Sequence, residues 1–267
     1  NDGKFSTDDN CLEMKQRTFN DSCSNIYACN YYPVTCGLSI ENQDSSDPVQ
    51  FAILADRSRG GSSIHNGQAE VMLHRRMMVS DSRGPMALDD TDRLENSKIY
   101  LIVDRKSVAT DLRHRLQYLQ SFPPTLALRV VSQPDISGTN QIYSPLLQEF
   151  PKNVHVMTFR YPFSTSQEVL LRLVNIYQKG DLSAENLAQP ASVDLSKYFP
   201  HITEVSERTL NAVWNIVTAK SRWNWMPNNS TQPPDVMKEP QVELPSRTLF
   251  TIDPLHIKTF YVTLPEL

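Results

Sequence analysis

The chain is cut into short apolar runs, and this constrains its fold more than any other feature. Runs at 50–55, 70–73, 98–103, 126–131, 154–159 and 248–252 are rich in β-branched or aromatic residues. Turn residues bound most of them, which is the signature of strands. A last apolar run at 260–264 lies close to the C-terminus. Strands at such spacing, without helices between them, predict antiparallel sandwiches rather than βαβ units.

Two segments interrupt this pattern. From 107 to 122, Val108, Leu112, Leu116 and Leu119 recur at helical spacing, with Arg113, His114 and Arg115 alongside. This predicts an amphipathic helix, N-capped by Ser107 and stopped by Pro123-Pro124, whose leucine stripe faces the core. The run 166–178 fits either period; its density of Leu170, Leu171, Leu173, Val174 and Ile176 favours a strand. Ser164-Thr165-Ser166 is the expected division point, leaving about a hundred residues beyond it, enough for a small sandwich.

All four cysteines, Cys11, Cys23, Cys29 and Cys36, lie near one end. They contain no C-x-x-C pair, so they read as two disulfides with three possible connectivities, or as bonds to another chain. N-glycosylation sequons begin at Asn20, Asn228 and Asn229, the last two within a proline-rich loop. Together these features predict a secreted, lysosomal or similar lumenal protein. The start at Asn1, without Met or an apolar leader, suggests a processed product.

Charge excludes one class of partner. Lys plus Arg at 26 against Asp plus Glu at 30 gives −4, no electrostatic basis for binding nucleic acid. No apolar run approaches the ~20 residues of a membrane helix, so no membrane span is expected.

Catalytic words are missing. The histidines His65, His74, His114, His155, His201 and His256 include no H-x-x-x-H pair. The glycines form no phosphate-cradling loop, Gly60-Gly61 reading as a turn, and there is no G-x-S-x-G elbow. Asp89, Asp90, Asp92 and Glu95 cluster as carboxylates, and a glycosidase needs two across a sugar cleft. Four on one polar stretch read instead as a solvated loop.

Several strings carry more. Asn30-Tyr31-Tyr32-Pro33-Val34 is followed by Asp56-Arg57-Ser58-Arg59-Gly60-Gly61-Ser62-Ser63, then Glu70-Val71-Met72-Leu73-His74-Arg75-Arg76, then Ser80-Asp81-Ser82-Arg83-Gly84. In order and spacing they resemble the C-terminal half of the class II α-mannosidases, glycoside hydrolase family 38. The family pattern runs N-Y-Y-P, D-R-S-x-G-G-S-S, E-[VIL]-M-x-x-R-R and D-D-x-R-G. Weaker likenesses at 5–10, 170–173 and 257–260 extend the match along nearly the whole chain.

The resemblance implies a mainly β fold: part of a large antiparallel, supersandwich-like β-sandwich over 1–164, with one amphipathic helix, then a smaller β-sandwich over 165–267. It implies retaining hydrolysis of α-mannosides in N-glycans through a glycosyl-enzyme intermediate, assisted by Zn²⁺. The nucleophile, acid/base and zinc ligands would lie on an N-terminal chain of the same precursor, leaving none here. By position Tyr32 and Arg83 match sugar-contacting residues of the family, and an amphipathic aromatic and a fixed-donor arginine suit a sugar. Two departures matter: Ser80 replaces the first acid of D-D-x-R-G, and Cys11 stands where glycine is common. Segments look partly like the major lysosomal subtype and partly like the epididymis subtype, and a homodimer of the processed enzyme is expected. The competing reading is a stand-alone, non-catalytic carbohydrate-binding or structural β-sandwich module.

Overall fold

The structure, a computed structural model, describes residues 1–42, 46–74, 82, 96–128, 130, 146–162, 167–199, 201–222 and 247–264. Among them, fourteen strands and three α-helices form a mainly β protein of antiparallel sheets. They divide into two compact units, Asn1–Ala127 with Tyr177–Ala188, and Leu128–Ile176 with Gln189–Leu267. No helix among the described residues is long and apolar enough to cross a membrane.

The first unit is built on a five-stranded sheet. Its strands are β1 (Lys4–Asp8), β2 (Met14–Thr18), β4 (Gly37–Glu41), β5 (Val49–Ala55) and β8 (Ile99–Arg105), in the order β2-β1-β4-β5-β8. Strand alternation gives this sheet two different faces. One carries Phe5, Leu38 and Ile40, which pack with Val34 and with partly buried Tyr32, Phe51 and Ala69. Val34 and Tyr32 belong to a second, three-stranded sheet of β3 (Tyr32–Val34), β6 (Arg59–Ser62) and β7 (Glu70–Val71), ordered β3-β6-β7. The other face meets α2 (Lys106–Ser121), where Ala52, Leu54 and Ile102 pack on Ala109 and Leu116.

Helix α2 corrects two expectations. Its buried residues are Ala109, Thr110, Arg113, His114 and Gln117, whereas Leu112 and Leu119 are exposed. Of the leucines in the stripe only Leu116 packs on the core; the buried face is centred on Ala109, Arg113, His114 and Gln117. The sheet beneath offers hydrogen-bonding side chains over much of its area, and the helix turns its polar residues to them. Ser107 is not the cap either: the N-cap is Arg105, and Ser107 donates its N–H and O–H to Asp47 at 2.9 and 2.8 Å. Those two hydrogen bonds hold the Asp47 carboxyl below its ordinary pKa.

In the second unit β9 (Val154–Arg160), β10 (Glu168–Asn175), β12 (Glu204–Arg208) and β14 (Ile257–Thr263) form a sheet ordered β12-β14-β10-β9. A two-stranded sheet pairs β11 (Ala191–Asp194) with β13 (Leu249–Ile252). Leu171, Leu173, Val193, Leu195, Phe199, Ile252, Phe260 and Val262 lie at the centre of its apolar core. Six of the eight residues of β10 are buried, four on one face and two on the other, so its sequence reads as a nearly continuous apolar run. That explains its fit to either period.

Two further differences concern boundaries. β9 precedes the expected division at 164 but is hydrogen-bonded to β10 beyond it, and Tyr177–Ala188 returns to the first unit. The compact units thus differ from 1–164 and 165–267; residues 163–166 themselves lie outside the described residues. Of the strand expected at 126–131, residues 126–128 are neither helix nor strand, with Leu126 and Leu128 exposed. No neighbouring strand pairs with them among the described residues.

Candidate functional site

The quoted strings converge on the three-stranded sheet. Register pairs Tyr32 with Gly61, Pro33 with Gly60, Gly61 with Val71 and Ser62 with Glu70. Pro33 is tolerated because β3 is an edge strand. Gly61 is required by close approach: a Cβ there would lie 2.8 Å from side-chain atoms of both Leu38 and Val34. Only glycine lets this sheet seat on the larger one.

Tyr32 is half-buried between two neighbours. Phe5 meets its ring edge-on at 5.7 Å, and the Arg17 guanidinium lies 4.7 Å from the ring centroid. Arg17 is itself fixed by Thr7 Oγ1 at 3.0 Å and Asp9 Oδ1 at 3.1 Å. The phenol body is thus part of the packing, and its position is set by β1, β2 and β3 together.

The residues beside it are tied down by their own bonds. The Tyr31 hydroxyl donates to Glu70 Oε2 at 2.8 Å, and burial together with this carboxylate pushes its pKa up to about 12. Asn30 is fully buried; its amide donates to the carbonyls of Asn20 and Ile26 and accepts the Asn20 N–H at 2.7 Å. Ser62 Oγ donates to the Asn30 carbonyl at 2.8 Å. Asn20, the first sequon residue, is exposed on the loop between β2 and α1 (Ile26–Asn30).

The cysteines pair as Cys11–Cys36 and Cys23–Cys29. Beside the first, the buried Asp8 carboxylate accepts the N–H groups of Cys11, Cys36 and Gly37 at 2.6, 2.9 and 2.7 Å. Asp8, Cys11 and Cys36 are close enough to suggest a metal group. Their sulfurs are bonded to each other, however, so no thiolate is available as a ligand. This is the one such group among the described residues, and its donors do not fit zinc.

Arg59 forms a clamp that the sequence reading did not single out. One Nη donates to the carbonyls of Met72 and Leu73; the other reaches Asp56 at 3.0 Å and Ser97 Oγ at 2.6 Å. Asp56 also accepts the Lys98 N–H at 3.1 Å, and that bond leads the causes holding its pKa at about 2. One guanidinium thereby joins residues 72–73 to 97, the two flanks of the segment carrying Arg83. The signal was the variable position of the D-R-S-x-G-G-S-S string, filled here by Arg59.

Arg83, the carboxylates Asp89, Asp90, Asp92 and Glu95, and the sequons at Asn228 and Asn229 lie outside the described residues. No catalytic pair is assembled among the described residues of the sheet.

Residues 1–83 match the Glycosyl hydrolases family 38 C-terminal domain. The chain is thus similar to the C-terminal portion of glycoside hydrolase family 38 enzymes of lysosomal type. It is 33% identical over 278 residues to the lysosomal alpha-mannosidase of Mus musculus and 30% over 279 to that of Bos taurus; both alignments cover 97% of this chain and 26% of the relative. The epididymis-specific alpha-mannosidase of Homo sapiens is 27% identical over 289 residues, covering 96% of this chain and 27% of that protein. The chain thus spans about a quarter of the length of these relatives.

Proposed function

We propose that this chain is the C-terminal, β-rich part of a lysosomal-type α-mannosidase that hydrolyses α-mannosidic bonds of N-glycans with retention of configuration. The observation that carries the reading is the likeness over 97% of the chain to about a quarter of lysosomal alpha-mannosidases. The nucleophile, the acid/base and the zinc ligands lie on a separate N-terminal chain of the same precursor. Zinc supplies orientation of sugar hydroxyls there; the described residues of this chain offer it no ligand set.

The chain's own contribution is positional. Tyr32, gripped by Phe5 and Arg17, presents its polar end toward the sugar, and Arg83 contributes donors from the segment whose flanks Arg59 joins. The partner surface includes β8, an edge strand with Leu101 and Val103 65% and 67% exposed. Adjacent exposed apolar side chains of this kind suit burial against another part of a protein. Two disulfides and the exposed Asn20 support a lysosomal or secreted location, with a glycan on Asn20.

Native and denaturing mass measurement of the protein purified under mild conditions tests this. The expected result is a second, zinc-carrying polypeptide, within a homodimer of the processed enzyme. A stable 30 kDa monomer that never associates would overturn it.

A further inference from the structure

Outside the motif sheet, the first unit buries an unusual amount of polarity in one place. On the α2-facing side of the five-stranded sheet, Ser6, Asp8, Ser39, Glu41 and Gln50 share one face by strand register. Opposite them α2 buries Thr110, Arg113, His114 and Gln117. The segment 177–188 closes the side. Asp181 lies 3.2 Å from His114 Nε2 and 3.7 Å from Arg113, and the Tyr177 hydroxyl donates to Asp111 at 3.0 Å.

These groups do not fill the space between them. A cavity of about 210 Å³ remains, lined on the sheet side by Ser6, Ser39 and Gln50 and on the helix side by Thr110 and Arg113, with Gln178 from the closing segment. That is below the ~300 Å³ at which drug-sized sites begin. Gln50 is only 5% exposed, and its Oε1 has no hydrogen-bond partner although its Nε2 donates to Glu41.

The charges narrow the occupant. Lys106 pairs with Glu41 at 3.0 Å, and Arg113 faces Asp181. Lys179, also in the lining, is exposed at the surface. With its buried charges matched, the cavity has no strong preference for an ion. Its amides and hydroxyls offer both donors and acceptors at close spacing. We propose that this cavity binds a single-ring neutral polyol of sugar size, whose hydroxyls bond the Thr110 hydroxyl and the lining amides of Gln50 and Gln178. The site is independent of the Tyr32 reading above, since Tyr32 lies in the other sheet and does not line the cavity.

Isothermal titration of the full chain with D-mannose, and separately with inorganic phosphate, tests this on the native protein and on Gln50→Leu, Thr110→Val and Tyr32→Phe. Thr110→Val preserves shape, so it remains informative if Gln50→Leu folds poorly; circular dichroism monitors both. A ligand so small predicts a millimolar Kd for D-mannose. It weakens about tenfold or more in Gln50→Leu and Thr110→Val and stays within about twofold in Tyr32→Phe. No heat with D-mannose, which leaves the cavity to water, overturns the proposal, as does tighter binding of phosphate. Binding lost in Tyr32→Phe but kept in both cavity variants also overturns it, and leaves the mannosidase reading standing.

Discussion

The interiors of the two units solve the same packing problem with different chemistry. Leu171, Leu173, Val193, Leu195, Phe199, Ile252 and Phe260 make a dry core in the second unit. In the first, α2 meets its sheet through a small apolar patch around Ala52, Leu54, Ile102 and Ala109, and otherwise through Arg113, His114, Gln117, Ser39 and Gln50. A dry core contributes about 1.5–3 kcal/mol per large side chain and is indifferent to pH. A buried polar network stabilises only while its charges and hydrogen bonds are satisfied, so it ties stability to proton concentration.

The largest effect belongs to the dry core. Leu171→Ala, at a fully buried site, should cost about 2–5 kcal/mol and lower the unfolding midpoint of the second unit in denaturant melts. A cost below about 1 kcal/mol would mean that this core is not close-packed.

The pH response should separate the units next. Burial first, and the adjacent Arg113 second, push the His114 pKa down to about 4 from an ordinary 6.5. The unfolded chain therefore takes up a proton below about pH 6.5 that the folded chain refuses until about pH 4. Stability falls as pH drops through that window, by up to about 3 kcal/mol. Asp181, held below its ordinary value despite burial by its bonds to His114 and Arg113, keeps its charge across the same window. In the second unit burial moves His155 in the same direction, so its slope is not zero. Melts between pH 7 and 4 should show the steeper loss in the first unit, flattened by His114→Gln. Equal slopes in native protein and variant would remove His114 from the account.

A smaller effect tests the seating of the motif sheet. Gly61→Ala forces its new methyl onto Leu38 and Val34 and should cost about 1–3 kcal/mol. Gly67→Ala is the comparison: no atom lies within 4 Å of a Cβ there, and any cost comes from its φ of 74°. Equal costs at the two positions would refute the close-approach argument.

The legibility of each region follows the same contrast. Strands such as Val49–Ala55 and Ile257–Thr263 announce themselves through β-branched and aromatic residues, and a mainly β fold follows. The leucine stripe of α2 misleads because one helix records its own apolar face but not the polarity of the sheet it must cover. Cysteine pairing stayed open because three connectivities fit the spacing, and only the meeting of Asp8 with residues 36–37 brings Cys11 to Cys36. Tyr32 was named through resemblance alone. That Tyr31 would bond Glu70, thirty-nine residues away, depends on the β3-β6-β7 register, which no local pattern encodes.

The central claim is that this chain works only as part of a larger α-mannosidase. Release of p-nitrophenol from p-nitrophenyl α-mannoside tests it most directly, comparing this chain alone with the complete protein that contains it. The account predicts no turnover by the chain alone and steady hydrolysis by the complete protein; turnover by the isolated chain, or none by the complete protein, would contradict it.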